Sequence, residues 1–420
     1  MTAEFSSSYD EPMREFVAEL IRFETTDGNE APAQAWLEGK LESLGFTTYK
    51  WVADPDRLAN HPEFPGASEL EAMRVADRPN VAGVLEFGDA DAGPTLILNG
   101  HMDVVPVQDE LWTSDPFEPR WEADTLTGRG AVDMKSQVTA CVFAANSLLD
   151  SDADLDGRVV VESVIGEEEG GIGAAAAALD NPYPFDRDAA IIAEPSDMRV
   201  VTATEGCLMK RLTVTGKPAH AARKWRGESV LPHFERIHHA FESLEAERGR
   251  RVTHPLYEAF DNPWPIVIGR VNAGNWASNV PGTLTAEMRI GVAPGESLDE
   301  VEREFHDRLD TVIEQSQWLS GHPPRFERFS VQFSSAEIDA DEPIVGALQT
   351  AMAESEIDDT APHGETYGAD ARHYIGAGIP TVVFGPGRIE QAHFPDESVE
   401  WAAVLQAGEI IANTAERFLS

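Results

Sequence analysis

The sequence predicts an α/β protein: a mostly parallel sheet with helices on both faces, plus an inserted two-layer α+β domain. Three observations predict it. Short apolar runs recur at 95–100 (TLILNG), 159–165 (VVVESVI), 189–194 (AAIIAE) and 380–385 (PTVVFG). Such runs suit strands buried on both faces. Helical periodicity fills the intervals between them. In the middle of the chain the strands alternate apolar and polar residues instead.

Taken in order, 11–25 and 30–45 have helical spacing, and Gly45 closes the second helix. NVAGVLEF at 80–87 reads as a strand, followed by the first apolar run at 95–100. Helices are expected at 134–150, 171–180, 343–355 and 397–418. Between them, KRLTVTG at 209–216 alternates in a half-exposed manner. A helical segment at 229–247 follows, then strands at 265–274 and 283–292, then a helix at 297–315. That β-α-β-β-α pattern implies an inserted domain with two helices covering one sheet face.

Charge narrows the function classes. The 420 residues hold 74 Asp and Glu against 32 Lys and Arg, a formal net charge of −42. Nucleic acid and anionic membrane are poor partners for such a surface. The acid is spread along the chain, so it is not a disordered tail. Counterions at high salt would screen the repulsion, and a halophilic source is expected. Only Cys141 and Cys207 are present, far apart and outside any CxxC, so no disulfide scaffold is expected. The start MTAEFSSSYDEPMREF is acidic and lacks an apolar h-region, and no apolar run approaches a membrane span. A soluble, cytoplasmic protein is expected.

The chemistry sits just after the buried strands, where an α/β sheet forms its ligand crevice. His101 and Asp103 follow the first run, Glu167, Glu168 and Glu169 the second, and Glu194 ends the third. Asp133 lies in GRGAVDMK, just before a helix. His393 follows the Gly385-Pro386-Gly387 turn after the fourth run. Two histidines with three or four carboxylates suit two divalent ions, zinc first, with cobalt or manganese as substitutes. Asp133 is placed to bridge them. The Glu167-Glu168 pair can divide the work of ligand and base. Each piece alone is commonplace: a His-x-Asp is usually a surface pair, and three glutamates usually form a solvated face. Their co-occurrence carries the argument. No GxSxG occurs, Cys207 lies in a strand region away from histidine, and no GxGxxG follows a strand. The Gly170-Gly171-x-Gly173 stretch has three glutamates beside it, which would repel phosphate.

The residues resemble the co-catalytic metallohydrolase family of acetylornithine deacetylase, succinyl-diaminopimelate desuccinylase, aminoacylase and glutamate carboxypeptidase. The matching motifs are GHMDVVP (100–106), GRGAVDMK (128–135), GEEEGGIG (166–173), AEP (193–195), GKPAHAA (216–222), NVPG (279–282), GADA (368–371) and GPG…AHFPDE (385–397). They come in the family order and span nearly the whole chain. The resemblance implies one metal site of His101, Asp133 and Glu194. A second would comprise Asp133, Glu168 and His393. Asp103 would orient His101, and Glu167 would act as general base and then acid. The Asp133–Met134 peptide should be cis. The family reads as an acidic pair, one variable residue, then Gly-Gly-x-Gly. Counting back from Gly170 gives Glu167 as base and Glu168 as ligand. Aligning on three acids shifts these roles to Glu168 and Glu169.

The resemblance also makes 205–334 a lid and dimerisation domain, inserted between catalytic segments 1–204 and 335–420. His220 would stabilise the oxyanion, in dimeric members at the other subunit's site. Asn279 and Arg289 would contact substrate, Arg289 through a carboxylate, although its spacing to Pro294-Gly295 departs from many members. Gly368 would shape the pocket. The implied activity is hydrolysis of a linear amide, first of all deacylation of a small N-acyl amino acid. A metallo-carboxypeptidase or dipeptidase of the same family is the alternative. An inactive metal-binding protein of the same fold is a second.

Overall fold

The computed structural model describes the backbone of residues 2–420 and the side chains of 5–420. Among the described residues, nine strands form a central sheet. Its middle is parallel. Gly157–Val164, Thr95–His101, Ala189–Ile192 and Thr381–Val383 lie side by side in that order. All four are buried along their whole length, which is why they read as unbroken apolar runs.

The flanks correct the expectation of a mostly parallel sheet. Pro79–Phe87 pairs antiparallel with Gly157–Val164, and Thr47–Val52 pairs antiparallel outside it. On the other side Val200–Thr204 runs antiparallel to Thr381–Val383 and to Ala336–Glu337, while Pro362–Glu365 joins it in parallel. The sheet is therefore mixed. Strand direction depends on partners distant in sequence, and edge strands such as TTYKWV carry only a weak apolar pattern.

Helices cover both faces. Thr2–Arg22, Ala31–Ser43, Lys135–Ser147, Pro343–Glu354 and Trp401–Phe418 pack one side through a large cluster that includes Leu96, Leu98, Val159, Val161 and Ile191. Ile172–Asp180 and Ala371–Gly376 pack the other through Ile97, Val160, Ala190 and Ile192. The last helix begins later than 397, because Ser398–Glu400 pairs with Thr125–Thr127 in a small separate sheet.

The middle of the chain builds its own layer pair. Ile266–Ala273, Thr283–Val292, Gly206–Thr215 and Arg325–Arg328 form an antiparallel four-stranded sheet. Burial alternates along Gly206–Thr215 and Thr283–Val292, so one face meets the helices Leu231–Arg251 and Leu298–Glu314 in a core of its own. Ser297 and Glu300 cap the second of these helices reciprocally, a motif worth about 1 kcal/mol. Arg325–Arg328, too short and charged to register as a strand, completes the sheet. Among the described residues no helix is long and apolar enough to cross a membrane.

Candidate functional site

The four parallel strands end at one edge, and the acids and histidines gather there. His101 is the last residue of its strand, and Glu194 comes two residues after its own. Glu167 and Glu168 follow Gly157–Val164, and Asp133 precedes the helix Lys135–Ser147. His101 Nε2 lies 2.8 Å from Asp133 Oδ1 and 3.8 Å from Glu194 Oε1. His393 Nε2 lies 3.2 Å from Asp133 Oδ2 and 2.9 Å from Glu168 Oε1. Two donor triads result, His101–Asp133–Glu194 and Asp133–Glu168–His393, and Asp133 belongs to both.

Backbone geometry serves this convergence. The Asp133–Met134 peptide is cis, and His393 has a left-handed φ of 64°. A non-glycine residue in that region is uncommon and marks a constrained position. Glu397 accepts hydrogen bonds from the backbone N–H groups of Val132 (2.7 Å) and Asp133 (3.1 Å), and it is ion-paired with buried Arg129. The Asp133 loop is thus clamped from behind. Gly385 is needed beside Glu194, since an added Cβ would sit 2.5 Å from the Glu194 carbonyl oxygen.

The electrostatics are those of a site short of positive charge. Burial pushes the Asp133 carboxyl up, but hydrogen bonds from His101 and His393 outweigh it and hold it well below the usual range. Burial lowers His101, yet Asp133 and Glu194 drive it well above an ordinary imidazole. Hydrogen bonds to Asp133 and Glu168 raise His393 to about 10. Burial raises Glu168 to about 6, and it raises Glu194 and Glu167 well beyond the usual carboxylate range. Glu194 Oε1 is buried without a hydrogen-bond partner. Imidazoles and carboxylates that compete for protons in this way form a donor set that fits divalent cations, which would take the place of those protons.

A family model described as peptidase family M20/M25/M40 matches residues 97–417. The chain belongs to that family. Among its relatives is N-formyl-4-amino-5-aminomethyl-2-methylpyrimidine deformylase of Bacillus subtilis, 28% identical over 402 residues, covering 90% of this chain and 87% of the relative. Acetylornithine deacetylase of Proteus mirabilis is 28% identical over 366 residues, covering 86% and 88%. The structure of an M20 family metallo-carboxypeptidase from Sulfolobus solfataricus superposes with a TM-score of 0.74 at 15% identity, covering 97% and 99%. That likeness concerns the fold.

The remaining residues of this M20 chain fall in several places. Asp103 turns its backbone carbonyl toward His101 Nδ1 (2.9 Å), while its carboxylate lies at 3.7 Å. That carboxylate instead accepts from the backbone N–H groups of Glu167 (3.1 Å) and Glu168 (3.0 Å). Glu169 turns away to Arg78, which also holds buried Glu30. His220 and Asn279 face each other in a two-residue ladder. His220 is exposed, and its ring accepts from Ala222 N–H at 3.1 Å; among the described residues it makes no hydrogen bond to the donor triads. Arg289 is paired bidentately with Glu205 at 3.2 and 2.7 Å. Gly368 lies beside Phe333 and Glu205.

Two neighbours escaped the sequence reading. Asp370 is buried, and neither of its carboxylate oxygens has a hydrogen-bond partner; its charge helps to raise Glu167. Its position inside GADA was the available signal. The Tyr367 hydroxyl is also buried without a partner, and it feels the charges of Glu194 and Asp133. Nothing in a lone Tyr-Gly pair announces that.

Proposed function

We propose that this chain is a dizinc amidohydrolase that removes the acyl group from a small N-acyl amino acid. The reading rests on one observation above all: Asp133 belongs to both donor triads, with half-buried Glu167 beside them and outside both. His101, Asp133 and Glu194 would hold one cation, and Asp133, Glu168 and His393 the other. Such ions supply Lewis acidity and lower the pKa of water.

The chain's own residues do the rest. Glu167 takes a proton from the attacking water and delivers it to the departing nitrogen. Burial and the charges of Asp370 and Glu194 favour its protonated form, so it can hold the proton between the two transfers. Asp103 fixes the backbone of Glu167 and Glu168 by accepting from both. His220 aims a donor at the oxygen that gains charge, and Asn279 and Gly368 line the substrate's path.

His220 must travel to do this. Residues 205–334 would act as a lid and as the face of a homodimer, on a catalytic part made of 1–204 and 335–420. In support, the edge strand Ile266–Ala273 exposes Val267 and Val271, and Trp225 and Trp276 are each 72% exposed. The deformylase and deacetylase relatives favour deacylation over peptide cleavage.

The test is metal content measured together with activity in molar salt. Acetylornithine, succinyl-diaminopimelate and a dipeptide panel are the substrates. About two equivalents of zinc per chain and release of the amine are expected. Stoichiometric metal without cleavage of any amide would leave an inactive binding protein, and dipeptides cleaved best would make it a peptidase.

A further inference from the structure

The wall beside the donor triads carries a cation whose charge is already cancelled. Arg289 projects from the second sheet, opposite Met209. Its Nη1 and Nη2 donate to the two oxygens of Glu205, and Nη2 also reaches the Thr366 carbonyl at 3.4 Å. Glu205 is fully buried. It is the single residue between Val200–Thr204 of the central sheet and Gly206–Thr215 of the second. The fit is built in: an added Cβ at Gly291 would collide with Glu205 Oε1. Thr366 leads through Gly368, packed against the Glu205 backbone, to Asp370, whose carboxylate packs against Gly171 just after the Glu167-Glu168 pair, so the Arg289–Glu205 pair stands on a segment that borders the reaction site.

We propose that Glu205 occupies the carboxylate-binding fork of Arg289, so that the pocket selects an acylated amine with no carboxylate at that position. This rests on the amidohydrolase reading and departs from it on one point, the N-acyl amino acid as first substrate: acylated amines without a carboxylate beside the amide would be favoured instead. An incoming carboxylate would have to displace a partner that is covalently tethered and bound at two points. It would also leave Glu205 buried without Arg289, either as an unpaired charge or neutralised by taking up a proton, and both oppose the exchange. A neutral or cationic group meets neither obstacle.

The test is calorimetric titration of the metal-loaded protein with N-acetylalanine and N-acetylalaninamide. Wild type is expected to bind the carboxamide at least as tightly as the carboxylate. In Glu205→Gln the carboxylate should gain about tenfold or more in affinity while the carboxamide changes little. Wild type that prefers the carboxylate overturns the proposal, and so does an unmoved ratio in Glu205→Gln. If the variant fails to fold, the wild-type comparison decides. If neither ligand binds wild type measurably, a carboxylate affinity that appears only in the variant supports masking, and its absence rejects it. Failure to hydrolyse any amide would sink the amidohydrolase reading separately; titrating in the Glu167→Gln background, which should keep metal and lose turnover, keeps the binding heats free of hydrolysis.

Discussion

Glu194 and Glu296 are both carboxylates beside buried groups, one in the central sheet's cluster and one in the loop that joins the second sheet to its helix Leu298–Glu314. Glu194 has an oxygen with no hydrogen-bond partner, and burial raises it well above its ordinary value. Glu296 receives Arg248 at 2.7 Å and caps the Ala293 backbone at 3.0 Å. The contrast extends to their neighbours. Around Glu194, Asp370 likewise has no hydrogen-bond partner, with Arg372 no nearer than 3.9 Å, and Asp133 is shared between two imidazoles. In the second sheet and the helices that cover it, Lys210 is paired with Glu302, Arg211 with Glu287, and Arg248 with both Glu296 and Glu304. Buried charge left unmatched is costly, whereas matched charge is tolerated. The first region is organised to receive something positive, and the second to hold itself together.

The comparison breaks first at Glu167, which should act on the reaction and not on cation retention. Glu167→Gln is expected to lower turnover by about 10²–10⁴-fold while metal content, read by atomic spectroscopy, stays constant. Parallel loss of metal would make Glu167 a ligand. The next largest effect lies beside the second sheet. Glu296→Gln strips a charge partner from buried Arg248 and should cost about 1–3 kcal/mol in denaturant unfolding, with or without chelator. The same chemical change at Glu194 should have the opposite sign. Glu194→Gln should stabilise the chelated protein by about 1 kcal/mol and abolish the gain that added zinc gives the wild type. If both variants lose stability alike in chelator, the two regions are not different in kind.

Legibility followed the same division. TLILNG, VVVESVI, AAIIAE and PTVVFG announced the parallel strands because both faces are buried, and the acids at their ends announced the donor triads. Thr47–Val52 and Val200–Thr204 did not announce their antiparallel pairing, since direction is set by distant partners. Roles that turn on which oxygen is nearest were equally hidden. Asp103 and His101 are neighbours in sequence, yet the carbonyl of Asp103 lies nearer the ring than its carboxylate does. Glu169 is drawn off by Arg78, 91 residues away. The Glu205–Arg289 pair spans 84 residues and joins two sheets, and no local pattern encodes it.

The smallest effect probes the one matched pair that borders the cluster. Burial raises Glu205, Arg289 pulls it back, and it ends at about 7. The titratable groups facing it are Arg289, Cys207 and Tyr257. Burial raises the Cys207 thiol and the Tyr257 phenol above their usual values, and Arg289 is raised further by Glu205. None of the three changes charge between pH 6 and 8, so Glu205 is the group among them that does. Below about 7 it is neutral and leaves the Arg289 charge available to a ligand carboxylate. Above that it is ionised and competes. Preference for N-acetylalaninamide over N-acetylalanine should therefore climb with pH, by up to about tenfold between pH 6 and 8, and the climb should vanish in Glu205→Gln. A preference that is flat across this range in wild type would mean that Arg289 and Glu205 stay locked together whatever the proton does, as the pairs of the second sheet do.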